Sequence, residues 1–119
     1  MSEFALAVAV ADYLRTVLDP SAATFFHVAN ERRASPRQGA MLKRMGVVAG
    51  VADIALLWTP GRIGFLELKI RGKSLSPAQR EWGEWCGILG VPFAKATSIE
   101  DVENFLSANQ VPTRISRRR

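Results

Sequence analysis

Residues 51–69, VADIALLWTPGRIGFLELK, decide how this chain is read. Two apolar runs, Asp53 to Trp58 and Ile63 to Lys69, flank the turn residues Thr59, Pro60, Gly61 and Arg62, and this spacing predicts a β-hairpin. A strand repeats every two residues, so Glu67 and Lys69 project from one face and the neighbouring strand can bring Asp53 alongside them. Ionisable groups set among Ile, Ala, Leu, Trp and Phe are costly unless they are paired or coordinate an ion. Taken alone, Glu67-Leu68-Lys69 is an ordinary ion pair on a sheet face. Ile63 and Phe65 share that face, however, which favours a strand running into a cleft over a solvated edge.

Outward from the hairpin, the chain alternates helical and strand patterns. Apolar residues Ala7, Val10, Ala11, Leu14, Val17 and Leu18 predict a helix over 3–19, ended by Pro20. The run from Thr24 to Ala29 reads as a strand, with His27 as an ordinary strand histidine. Pro36 opens a second helix, with Ala40, Met41 and Met45 expected inward and Lys43 and Arg44 in water. Ser76-Pro77 caps and starts a third helix, in which Trp82, Trp85 and Leu89 form a stripe expected in the core. A strand from Val91 to Thr97 and a helix capped by Ser98 complete the body. The predicted order is α-β-α-β-β-α-β-α, an α/β fold with a mixed sheet flanked by helices. Residues 1–107 form one domain, and residues 108–119 are expected as a mobile basic tail.

Composition narrows the function. The chain has 119 residues, of which 48% are hydrophobic and 23% charged, in keeping with a single soluble globular domain. Of the net charge of +5, four units come from Arg114, Arg117, Arg118 and Arg119, so the body is close to neutral. Such a tail serves phosphate contact or solubility. One cysteine, Cys86, forms no internal disulfide, and a reducing cytoplasm suits it. One cysteine and one histidine exclude the usual zinc spacings and Cys/His or Ser/His/Asp nucleophiles. The apolar N-terminal run is broken by Asp12 and has no cationic leader, so neither a signal peptide nor a membrane span is expected.

Hard carboxylate oxygens from Asp53 and Glu67, with the Leu68 carbonyl between acid and lysine, suit Mg²⁺ or Mn²⁺. Lys69 can polarise a water or stabilise charge on a phosphate in the transition state, so the pattern points to phosphodiester hydrolysis without a protein nucleophile. Arg71 and Lys73 leave the strand bearing Glu67 and Lys69 and are placed to hold phosphates. Arg32, Arg33, Lys43, Arg44, Arg117, Arg118 and Arg119 are further nucleic-acid candidates.

Asp53 with Glu67-Leu68-Lys69 resembles the PD-(D/E)XK nuclease core, and more narrowly the virus-type replication-repair nuclease (VRR-NUC) domain. The resemblance extends to Glu3 in the first helix, Asn30-Glu31 after the first strand, the Gly-Val-x-Asp lead into Asp53, and Leu75-Ser76-Pro77-Ala78-Gln79 with Trp82. It implies a restriction-endonuclease-like sheet, Gln79 at the edge of the active site and Glu3 near the metal. The bare sequence also allows Glu3 as a helix N-terminal acid and Gln79 as a surface residue of the first turn. Two positions depart from the family: Ala52 replaces the proline before the aspartate, and Ala7 replaces a glutamine one turn after Glu3. The resemblance further implies a homodimeric endonuclease acting on branched DNA such as four-way junctions, in a phage or bacterial host cytosol. A catalytically silent DNA-binding or assembly module and a ribonuclease are the alternatives.

Overall fold

The computed structural model describes residues 1–29 and 35–117, the last two by backbone alone. The chain runs α1 (Glu3–Val17), β1 (Ala23–His27), α2 (Pro36–Arg44), β2 (Ile54–Trp58), β3 (Arg62–Leu68), α3 (Pro77–Leu89), β4 (Phe93–Ala96), α4 (Ile99–Ala108) and a four-residue α5 (Arg114–Arg117). The strands form one sheet in the order β1-β2-β3-β4. β1 and β2 pair antiparallel, β2 and β3 form the expected hairpin, and β4 joins β3 in parallel after the α3 crossover. This is the mixed sheet flanked by helices that the order of patterns predicts.

Register divides the sheet into two faces. Ile54, Leu56 and Trp58 stand opposite Leu66, Gly64 and Arg62, and the first face is closed by α1 through Leu6, Val10 and Leu14 and by α4 through Val102, Phe105 and Leu106. Gly64 lets this packing close, because a β-carbon there would come within 2.8 Å of the Phe105 ring and 3.0 Å of Trp58. The second face carries Ala55, Leu57, Ile63, Phe65 and Phe93. α3 covers part of it, with the Trp82 ring edge-on to Phe65 at 5.3 Å.

Three expectations are corrected by this packing. Met41, Met45 and Ala40 do not face inward: α2 has no buried residue, and Met41 and Met45 are exposed. Trp85 and Leu89 are exposed as well, because α3 meets the sheet at Trp82 and Gly83, against Phe65 and Phe93, rather than along its whole apolar stripe. The stretch after Leu106 is not loose along its first part. Helix α4 continues to Ala108, Val111 is buried, Asp19 N–H donates to the Pro112 carbonyl at 3.1 Å and Arg114 Nε donates to the Thr16 carbonyl at 2.9 Å. A single buried valine has no periodicity, which is why this segment looks like a tail in the sequence.

Among the described residues no helix is long and apolar enough to cross a membrane.

Candidate active site

The hairpin and the start of α3 build the site. Asp53 stands in a bend just before β2, its carbonyl held by the Val28 N–H at 2.7 Å. Its carboxylate Oδ2 accepts from the Leu68 backbone N–H at 2.9 Å, which ties the residue before β2 to the end of β3. Glu67, one residue earlier on β3, is only 2% exposed. The antiparallel register, Ile54 opposite Leu66, brings residues distant in sequence to one end of the hairpin.

Gln79 joins the strand to the helix. Its amide oxygen accepts from Ser76 N–H at 2.8 Å, while its own N–H donates to the Ser76 hydroxyl at 3.2 Å, a reciprocal cap on α3. The amide nitrogen then donates to Glu67 Oε2 at 3.1 Å. The side chain is therefore a strut between the α3 N-terminus and the buried carboxylate. Gly50 fixes the height of that strut. It adopts φ +82°, and a β-carbon there would fall 2.4 Å from the Ala78 carbonyl group and 2.8 Å from Gln79 N.

The other oxygen, Glu67 Oε1, is buried without a hydrogen-bond donor. Burial chiefly, then a side-chain hydrogen bond that protonated Glu67 makes to Asp53 and the Asp53 charge itself, push the Glu67 pKa from 4.5 up to about 8; the Lys69 ammonium opposes this, and Glu3 adds a smaller push. Two carboxylates drawn together and short of positive charge are what a divalent cation relieves. The donor set thus fits the ion that the sequence pattern implies, with Asp53, Glu67 and the Leu68 carbonyl as the available oxygens. Among the described residues no third His, Cys, Asp or Glu side chain completes a cage, so the remaining coordination would fall to water and substrate.

A cleft of about 480 Å³ opens beside Asp53, lined also by Glu3, Phe4, Ala7, Val8, Ala11, Arg15, His27 and Leu68. Glu3 is thus brought to the site by α1, whose N-terminal Ser2 hydroxyl accepts from Ala5 N–H at 3.0 Å. His27 is a lining residue that sequence reading misses; its register opposite Ile54, immediately after Asp53, is the signal that could have found it.

The basic candidates separate. Arg71 and Lys73 lie in an exposed turn directly after β3, and the Lys73 carbonyl is held by Lys95 Nζ at 3.0 Å. Lys95 pairs with Glu67 in register and is a second cation that sequence reading overlooks. Lys43 and Arg44 are exposed in the last turn of α2, on a helix with no buried residue. Arg32, Arg33, Arg118, Arg119, the Asn30-Glu31 pair and the Arg117 side chain lie outside the described residues.

No protein-family model and no curated protein matches the chain. A solved structure does: a VRR_NUC domain protein aligns over 93% of this chain and 88% of its own, with a TM-score of 0.64 at 23% sequence identity. The chain therefore has a VRR-NUC-like fold.

Proposed function

We propose that this protein is a Mg²⁺- or Mn²⁺-dependent nuclease that hydrolyses DNA phosphodiesters. The single observation that carries the reading is the buried Glu67 oxygen without a donor, facing a second carboxylate beside Lys69. The VRR-NUC-like fold supports it, since the structural neighbour is named for a nuclease domain.

Asp53, Glu67 and the Leu68 carbonyl would hold the cation. A bound Mg²⁺ or Mn²⁺ supplies Lewis acidity, offsetting phosphate charge and acidifying water. The chain's own residues do the rest. The Gln79 amide fixes one Glu67 oxygen and leaves the other directed at the site, so the carboxylate needs no reorganisation when substrate arrives. Lys69, a compact cation, orients the attacking water and stabilises the extra negative charge of the pentacovalent transition state. Arg71 and Lys73 hold flanking phosphates from the turn that Lys95 pins. Water is the nucleophile, as expected of a chain whose one cysteine is buried.

The finer substrate follows from the family resemblance: branched DNA, cut by a homodimer whose dyad presents two equivalent sites to opposing strands. The test uses labelled linear, flap and four-way DNA, with RNA in parallel, incubated with Mg²⁺, Mn²⁺ or EDTA. Metal-dependent products are expected on DNA, and Asp53→Ala, Glu67→Ala and Lys69→Ala each lower turnover by about 10²–10³-fold or more while circular dichroism stays native. Tight, salt-sensitive binding without products makes the protein a silent binding module, and cleavage of RNA alone makes it a ribonuclease.

A further inference from the structure

Helix α1 is apolar on two sides. Leu6, Val10 and Leu14 are buried against the sheet, as an amphipathic helix requires. A second stripe, Phe4, Ala7, Val8, Ala11 and Arg15, follows helical spacing along the wall of the carboxylate cleft. A wall of this kind on a surface helix is ordinarily polar. Here Phe4 is 79% exposed and Val8 44%, so a flat aromatic ring and an aliphatic strip are left facing the cleft that Asp53 and Glu3 close at one end. At the other end Arg15 lies 5.8 Å over the Phe25 ring and 3.2 Å from the exposed Asp12.

The cleft thus has an anionic end, an apolar middle and, at the far end, the exposed Arg15–Asp12 pair, in which a phosphate can replace the Asp12 carboxylate because surface pairs are weak. Whatever occupies it carries a group that the carboxylates take with a cation, a flat apolar body and a second negative charge. A nucleotide strand has these three features in sequence: phosphate, base, phosphate. From Phe4 to Arg15 the helix rises about 16 Å, which suits a strand lying along it rather than a single ion. We propose that the α1 wall is a base-binding subsite in which Phe4 stacks on an unpaired nucleobase next to the phosphate held where Asp53 and Glu3 close the cleft, with Arg15 taking a phosphate further along the strand. The subsite rests on the reading of those carboxylates as the phosphate end.

A substrate class follows. A paired base inside a duplex has both faces covered by its neighbours and offers nothing to Phe4, whereas a flap, a gap or a frayed junction arm offers a free face. The α1 wall therefore selects DNA with an unpaired nucleotide adjoining the cut, through stacking and without reading sequence.

The test compares the full-length protein with Phe4→Ala, Phe4→Leu and Phe4→Trp on a flap and a blunt duplex of the same sequence, with Mn²⁺. In Phe4→Ala the KM for the flap rises about tenfold while kcat and duplex cleavage change little. Phe4→Trp restores the flap preference and Phe4→Leu does not. A second readout needs no turnover: with Ca²⁺ in place of Mn²⁺, 2-aminopurine at the unpaired position is quenched on binding by the wild type and by Phe4→Trp, but not by Phe4→Ala. Unchanged flap preference and quenching in Phe4→Ala overturn the subsite. So does full retention of the preference by Phe4→Leu, which would make the wall a greasy contact without stacking. A change of oligomeric state in Phe4→Ala, with substrate preference intact, overturns it in favour of a second copy as the occupant. A wild type that cuts nothing yet quenches the probe through Phe4 removes the hydrolase reading and leaves the subsite standing.

Discussion

The two faces of the sheet are built from similar residues and treated differently. On the α1–α4 side, Ile54, Leu56, Leu66 and Leu68 are almost completely removed from water. On the other side Phe26 is 53% exposed, Leu57 39% and Ile63 37%, and α3 covers only the Phe65–Phe93 end. Leu56 and Leu57 are neighbours in sequence and opposites in environment. Stability resides in the first face, and the second is spared to hold α3 over the carboxylates. The site lies at the seam: Asp53 reaches Leu68 of the closed face, while Glu67 reaches Gln79 of the helix on the open one.

The comparison breaks most clearly at Leu56 and Leu57. Leu56→Ala opens a cavity in a closed core and is expected to cost about 3 kcal/mol. Leu57→Ala removes a side chain already in contact with water and should cost under about 1 kcal/mol. Urea unfolding of the two variants measures both. Equal costs would mean that something covers the second face in solution.

The next effect concerns the seam itself. In metal-free protein Glu67 holds its proton up to about pH 8, against an ordinary value of 4.5, so the folded state binds a proton that the unfolded chain has lost. The associated stability is complete below pH 4.5 and disappears as the pH rises to about 8. In EDTA the melting temperature should therefore fall across that window. Glu67→Gln is expected to flatten the fall and to be more stable than the wild type by about 2 kcal/mol above it, since a neutral amide replaces a buried charge. Added Mn²⁺ should raise the wild-type melting temperature at high pH and leave Glu67→Gln unmoved. A wild-type profile with no slope in EDTA would show that the carboxylates are already compensated by the protein.

How much of this was legible beforehand depends on the range of the interaction. The hairpin, the Ser76-Pro77 helix start and the convergence of Asp53 with Glu67 and Lys69 are written in short patterns: a turn composition, a cap and a period of two. Local signals of that kind also mark Gln79, whose place three residues after Ser76 makes the reciprocal cap. Its second bond, to Glu67, depends on where α3 lands. The errors all concern coverage. Met41, Met45, Trp85 and Leu89 are apolar and at helical spacing, yet periodicity says which residues could be buried and not what arrives to bury them. Phe4 and the strand histidine His27 give no sign of a shared cleft for the same reason, because a cleft lined from α1, β1 and the hairpin has no signature in any one segment.

Gly50 tests how α3 is held over the open face. Alanine there needs an unfavourable positive φ and brings its β-carbon against the Ala78 backbone, so the 50–52 segment or the first turn of α3 must shift. Gly50→Ala should cost about 1–2 kcal/mol and break the Gln79–Glu67 bond. The loss of turnover should then approach that of Gln79→Ala, although no proposed active-site side chain has been changed. Normal turnover in Gly50→Ala would show that the strut tolerates displacement.

The smallest effect separates a cap that only holds the fold from one that also serves the site. At the start of α4, Asp101 Oδ2 accepts from the Thr97 N–H at 2.8 Å and from the Thr97 hydroxyl at 3.1 Å, and these bonds, the backbone one foremost, hold its pKa below 3.8. At the start of α3 the corresponding bonds are made by Gln79, whose remaining amide N–H reaches Glu67. Asp101→Ala should cost about 1 kcal/mol at neutral pH. Because a lowered pKa contributes stability above the unfolded value and loses it as pH falls through the folded one, the difference between variant and wild type should shrink in acid. Turnover by Asp101→Ala should remain at the wild-type level under conditions where both proteins are folded. Gln79→Ala, with a similar loss in melting temperature, should show a clear fall in kcat. Equal turnover in the two variants would reduce the Gln79–Glu67 bond to packing, and the open face of the sheet would then have no part in orienting the carboxylate.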